Sequence, residues 1–241
     1  MKKLLLILIP VLIIAAPQIP TVNLSLSAPE TPKQLVSVLN VTILLTLLVL
    51  APSIILVMTS FVRLLVVFGF LRQALGTPQS PPTTLLVSLA LVLTFFIMEP
   101  YAKKAYNSAI KPYVEEKIGY DEAFNKAVKP FKKFMIKNTR EKDLALFFRI
   151  RHLPNPKTID DVPLSILIPA FMLSELKTAF EIGFLIFLPF LIIDMVVSSI
   201  LMSLGMMMLP PVMISLPFKI LVFVLVDGWN LIVMGLVQSF K

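Results

Sequence analysis

The chain has 241 residues and a net charge of +8, with 57% apolar and 15% charged side chains, against roughly 45–50% and about 25% in soluble domains by nearly the same count. With no cysteine and a single histidine, it can hold no disulfide framework, iron–sulfur site, zinc finger, thiol nucleophile or multi-histidine metal site. Residues 101–177 carry 15 basic and 9 acidic side chains, 24 of the 36 charges, so two apolar blocks flank a charged one; no recognition motif accompanies the lysines, and nucleic acid is not an expected partner.

Met1-Lys2-Lys3 followed by the apolar run Leu4 to Ala16 has the charged start and short apolar core of a secretory signal. Its thirteen positions, Pro10 among them, fall short of the about 20 that a permanent span needs. Small residues at Ser25-Leu26-Ser27-Ala28 place cleavage near Ser27 or Ala28, giving a signal over 1–27; an uncleaved anchor is the other reading. Either sends the segment after it to the outside of the membrane.

Val41 to Phe70 is nearly continuous in Leu, Ile, Val and Phe, and as one helix it would be ~45 Å long, beyond the ~30 Å hydrocarbon core. Pro52 and Arg63 interrupt it. Thr83 to Met98 is marginal for a span at sixteen residues. A kinked hairpin over 28–100, turning at Gly76 to Pro82, fits both segments. Beyond the charged block, Ile182 to Met208 and Val212 to Phe240 form a second pair around Leu209-Pro210-Pro211, with Ser199 and Ser203, and Gly228 and Gly235, spaced for close helix packing. Arg63, Asp194, Lys219 and Asp227 lie inside these segments. Each would cost about 2.5–3.5 kcal/mol at a bilayer centre, so they should face protein, water or a partner subunit. Counting passes puts residues 101–177 outside, a segment long enough to escape the positive-inside rule.

Within the charged block the period is helical. Ala123, Phe124, Ala127, Val128, Phe131 and Phe134 share a face, with Asp121 as a candidate N-cap and Pro130 as a kink. A second helix is expected from Thr139 to Arg151. Its neighbours Phe147 and Phe148 diverge by about 100°, so either one is a subunit contact or both are partly covered by the following loop. No phosphate-binding loop occurs, and His152, Glu115-Glu116 and Asp160-Asp161 read as solvated or capping residues. Neither a catalytic site nor a cofactor or metal is expected. Met202, Met206, Met207, Met208 and Met213 put five of twelve methionines within twelve residues; composition alone allows a reversible seal or simple filler in a helical turn. The fold class is therefore all-α: two kinked, membrane-targeted helical hairpins, 28–100 and 178–241, around a small helical domain at 101–177.

Several stretches resemble the FliP family of flagellar and type III secretion export-gate proteins. They include Thr59-Ser60-Phe61-Val62-Arg63, Phe70-Leu71-Arg72-Gln73-Ala74-Leu75-Gly76-Thr77, Leu93 to Met98, Thr139-Arg140-Glu141 and Asp161-Val162-Pro163. The longest series runs from Ile168-Pro169-Ala170-Phe171 through Ser174 to Phe180, Gly205-Met206-Met207-Met208 and Ile214 to Lys219, ending at Asp227-Gly228-Trp229. The resemblance implies a multi-pass subunit of the bacterial inner membrane, at the flagellar basal body, with 101–177 periplasmic. It further implies assembly with copies of itself, five in the family, and with FliQ, FliR, FlhB and FlhA type subunits, into a gate for unfolded flagellar proteins that catalyses no reaction. Met206, Met207 and Met208 would form the gasket around the passage. Phe134, Phe147 and Glu175 would be subunit contacts, and Arg63, Lys177, Asp194, Lys219 and Asp227 buried or inter-helix charges. The homologous subunit of a virulence injectisome, and an ion channel or secondary transporter, are the alternatives.

Overall fold

The computed structural model describes residues 32–154, 156, 158, 161–206 and 208–240; the expected signal segment lies outside them. All regular structure among the described residues is helical, as the periodicities predict. The elements are α1 (Pro32–Val57), α2 (Phe61–Ala74), α3 (Thr83–Ala105), α4 (Lys111–Val114), α5 (Tyr120–Lys137), α6 (Glu141–Ile150), α7 (Leu164–Ser203), α8 (Pro211–Leu225) and α9 (Gly228–Gln238). A π-turn over Tyr106–Ile110 joins α3 to α4. Packing divides the chain after Val49 into two units. In the first, the helical turns expose Leu44, Leu48 and Val49.

Local chemistry accounts for the helix ends. α2 closes on Gly76 and α7 on Gly205, both at positive φ, with paired bonds from Thr77 N–H to Arg72 O and Gly76 N–H to Gln73 O, and from Met206 N–H to Leu201 O and Gly205 N–H to Met202 O. This is the Schellman arrangement, in which a left-handed residue turns the chain back over its last carbonyls. Glu116 and His152 hold the same left-handed position after α4 and α6, so the lone histidine is a helix stop. Asp121 sits in the first turn of α5 rather than at its cap, which is Gly119, and Pro130 lies inside α5 without dividing it. With Glu122, Asp121 faces the positive end of the helix dipole.

The core forms where one stripe of α2 meets α7. Leu64, Val67, Phe68 and Leu71 follow the i, i+3, i+4, i+7 spacing and are all buried, against Leu167, Phe171 and Ala179 of α7, with Phe134 and Met135 of α5 and Leu236 of α9 completing the cluster. Phe148 is buried and Phe147 half-buried against the same cluster. Neither expected boundary of the charged block is a break in the backbone: α3 runs on through Pro100 and Tyr101, and α7 through Lys177 and Thr178. The 40 residues of α7 reach ~60 Å, about twice the hydrocarbon core. Its first part can therefore pack on α5 and α6 while its second part remains an apolar rod.

Among the described residues, two helical stretches, Thr83–Val114 and Leu164–Ser203, are long and apolar enough to cross a membrane, and α8 with α9, bent by 64°, would make a third. Close approach of α2 to α7 depends on Gly183, where a Cβ would stand 2.5 Å from Cδ2 of Phe70. That ring also meets Phe180 and Phe187 edge-on, so it has nowhere to retreat. Gly183→Ala is expected to lose about 1–3 kcal/mol of stability through overpacking. Gly235→Ala, where a Cβ would meet nothing within 4 Å, should stay within about 0.5 kcal/mol. Thermal unfolding in detergent compares the two.

Candidate functional site

Three polar clusters lie along α7, and each joins it to a different partner. Nearest its start, Ser174 accepts a hydrogen bond from the Arg140 backbone N–H at 3.0 Å and donates to Asp143 Oδ2 at 2.8 Å. Lys177 completes the cluster by donating to Asp143 Oδ1. Burial works against the Asp143 carboxylate, but the bonds from Lys177 and Ser174 and the charges of Lys177 and Arg140 outweigh it, holding its carboxyl below the usual range. Arg140 reaches one turn further to Glu181 Oε2 at 2.6 Å and to Thr178 Oγ1 at 3.2 Å. These bonds dock α6 on α7.

The second cluster is buried. Arg63 of α2 forks onto Glu175, Nε to Oε2 at 2.8 Å and Nη2 to Oε1, and the two side chains are 4% and 0% exposed. Its remaining Nη1 donates to Ser239 O at 3.1 Å and Ser239 Oγ at 2.9 Å, while the guanidinium carbon lies 3.8 Å from the centre of the Phe240 ring. A planar guanidinium suits this site because its donors match a carboxylate edge-on and its face stacks on an aromatic ring. In the third cluster Lys219 of α8 donates to Asp194 of α7 at 2.6 Å, and Ser215 donates to the other carboxylate oxygen at 2.5 Å.

Asp227 differs from the other in-segment charges. It is exposed, in a left-handed conformation at the bend between α8 and α9, and accepts a bond from Asn230 Nδ2 at 3.1 Å. Of the three residues expected as subunit contacts, Phe134 and Glu175 are fully buried within the single chain, Phe134 packing among Tyr101, Phe171 and Phe240 and Glu175 pairing with Arg63. Phe147 is half-buried, beside exposed Leu146 and Ile150. Sequence reading missed Ser239 and Phe240, which stand 176 residues or more from Arg63, and Ser174 and Ser215, whose hydroxyls carry no pattern of their own.

Between α7 and α8 the chain turns through the methionine-rich segment. Met206 is partly exposed and Met208 98% exposed, with Met202 and Met213 largely exposed on the flanking turns; Met207 lies outside the described residues. An apolar groove of about 440 Å³ separates the two arms, lined by Ile193, Val197, Ile200, Ile214 and Phe218 among others. Flexible, polarizable side chains thus stand exposed at the tip of an apolar hairpin, among the described residues.

Comparison with known proteins gives a consistent answer. The model of the FliP family matches residues 44–236. The flagellar biosynthetic protein FliP of Bacillus subtilis is 55% identical over 209 residues, covering 87% of this chain and 95% of that protein. That of Caulobacter vibrioides is 54% identical over 198 residues, 82% of this chain and 74% of that protein. That of Aquifex aeolicus is 47% identical over 243 aligned positions, the full length of both.

The buried pair yields a prediction independent of any activity. Glu175→Gln leaves the guanidinium without its counter-ion and is expected to cost about 3–5 kcal/mol, whereas Arg63→Met with Glu175→Leu should recover most of that loss. Detergent-solubilised unfolding of the two variants beside the unaltered protein measures the difference.

Proposed function

Because the chain belongs to the FliP family, we propose that it is a core subunit of the flagellar type III protein export gate, forming with copies of itself the channel through which unfolded flagellar proteins cross the inner membrane. The observation that carries this reading is family identity along the whole folded unit, combined with an uncovered methionine tip on an apolar hairpin. The chain is a component of the flagellar export apparatus and a membrane protein. The finer reading has five copies joining FliQ, FliR, FlhB and FlhA type subunits, with residues 101–177 on the periplasmic side. The subunit itself catalyses nothing, and passage is energised by other components.

Exposed apolar residues support assembly. Phe95 and Phe96 on α3, Phe184, Leu185 and Ile192 on α7, and Val224 and Leu225 on α8 are all open in the single chain, which is more apolar surface than a solitary soluble protein tolerates. Phe147, with Leu146 and Ile150, is the proposed contact on the charged domain. Phe134 and Glu175 support that surface from within. Met206, Met207 and Met208, contributed by each copy, form the gasket: thioether chains can close around an empty passage and repack around a moving polypeptide.

The flagellar branch is favoured over the injectisome by relatives that are named as flagellar proteins. A transporter is disfavoured because Asp194 and Lys219 engage each other, so that among the described residues the arms present no unpaired carboxylate to a coupling ion. Deleting the gene should abolish flagellar filaments, seen by electron microscopy; intact filaments would refute the assignment. Replacing Met206, Met207 and Met208 by Ala should raise ion conductance of membranes containing the complex while native gels show normal assembly. Unchanged conductance would remove the gasket.

A further inference from the structure

The tip of the methionine hairpin has no cover of its own, so something further back must determine where it stands. Beyond residue 194 the arms of α7 and α8 are separated by the apolar groove, and Met195, Val196, Ile200, Leu204 and Met213 are exposed. Such walls do not interlock, and dispersion alone holds them weakly. Ser215 and Lys219, by contrast, are 0% and 3% exposed and make directional, charge-assisted bonds.

Those bonds reach a third element. Lys219 Nζ, besides its bond to Asp194, donates to the backbone carbonyl of Ala74 at 3.2 Å. Ala74 is the last residue of α2, where carbonyls unpaired within the helix carry its negative dipole end. The neighbouring carbonyls of Arg72 and Gln73 are already taken by the Gly76 turn, so the ammonium takes the one that this turn leaves open. The turn itself is seated on α8: a Cβ on Gly76 would lie 3.6 Å from Val212 Cγ1 and 3.7 Å from Leu216 Cδ1.

We propose that Asp194, Lys219 and Ser215 are positioning residues that anchor the methionine-rich hairpin to the C-terminal turn of α2, so that the placement of this turn sets the placement of the methionines. The buried ammonium cannot leave Asp194 and the Ala74 carbonyl without stranding a charge. Turn, carboxylate and first turns of α8 therefore move together. α2 is in turn bound to α7 through Arg63 and Glu175. The anchor thus links the well-packed core to the exposed tip. The role assigned to the tip rests on the gate reading above; the anchoring does not.

The chain lacks cysteine, so Leu204→Cys, on the loop but outside the methionine triplet, provides a single thiol in this subunit. Its alkylation rate in the purified, assembled complex reports the freedom of the tip. Asp194→Leu with Lys219→Met removes both charges together and should preserve assembly while raising that rate about tenfold. The swap Asp194→Lys with Lys219→Asp separates the anchor from a plain tie between α7 and α8. It restores an ion pair but sets a carboxylate against the Ala74 carbonyl, so the rate should stay raised; return to the wild-type rate would overturn the anchor. If the double variants fail to assemble, Ser215→Ala decides, with a rise of about threefold expected and an unchanged rate overturning the proposal. Membrane conductance keeps the two readings apart: unaltered conductance in the methionine variant removes the gasket but not the anchor, whereas unaltered Leu204→Cys rates remove the anchor but not the gasket.

Discussion

A guanidinium and a carboxylate taken out of water between α2 and α7 constrain everything around them. Neither charge tolerates burial alone, since the desolvation of each amounts to several kcal/mol unless it is fully hydrogen-bonded. Arg63 meets that demand by using Glu175, Ser239 and Phe240 at once, so three distant parts of the chain must come together for the pair to form. Apolar contacts favour burial in any orientation, whereas this set of bonds is satisfied in one. The pair therefore specifies how α2 is rotated and placed on α7 more than it adds to net stability. Phe70 against Gly183 then tightens the crossing a few turns further along.

From that crossing the two ends of α7 diverge in character. Towards its start, Ser174, Lys177 and Glu181 engage α6 through Asp143 and Arg140, and the helix packs with the charge-rich helices. Towards its end, a run of Phe, Leu, Ile and Met stays exposed among the described residues. A helix about twice as long as the bilayer is thick can serve both environments, and this is why no break separates the charged block from the apolar hairpin. The open surface on the apolar half is the physical reason to regard the chain as one piece of an assembly.

Several features were legible before any coordinates. The all-α class followed from periodicity, the separation of charged and apolar blocks from composition, and the turn at Gly76 from its glycine- and proline-rich stretch; the second turn was expected at Leu209-Pro210-Pro211, whereas α7 already stops at Ser203 before Gly205. The in-segment charges Arg63, Asp194 and Lys219 stood out because each is costly in lipid. Less legible was what each would meet. Phe134 was expected at a subunit contact from the family resemblance alone, and within the single chain its apolar helix face draws it into the core. Asp227 looked like a buried partner because its neighbours are hydrophobic, yet it occupies a bend where α8 stops and its carboxylate stays exposed. The expected domain limits at 100 and 177 are not helix ends: a shift in composition need not break the backbone, and α3 and α7 run through those positions.

The sequence by itself determined the helical periods, the two apolar blocks, the methionine-rich turn and the family. These are local or compositional properties, carried by spacing and side-chain type. Only the tertiary structure decided that Arg63 pairs with Glu175 across 112 positions and that Lys219 caps α2 as well as answering Asp194. Such partnerships depend on which faces come together once the core has closed. Each charge announced its need for a partner in the sequence, but the partner was selected by packing.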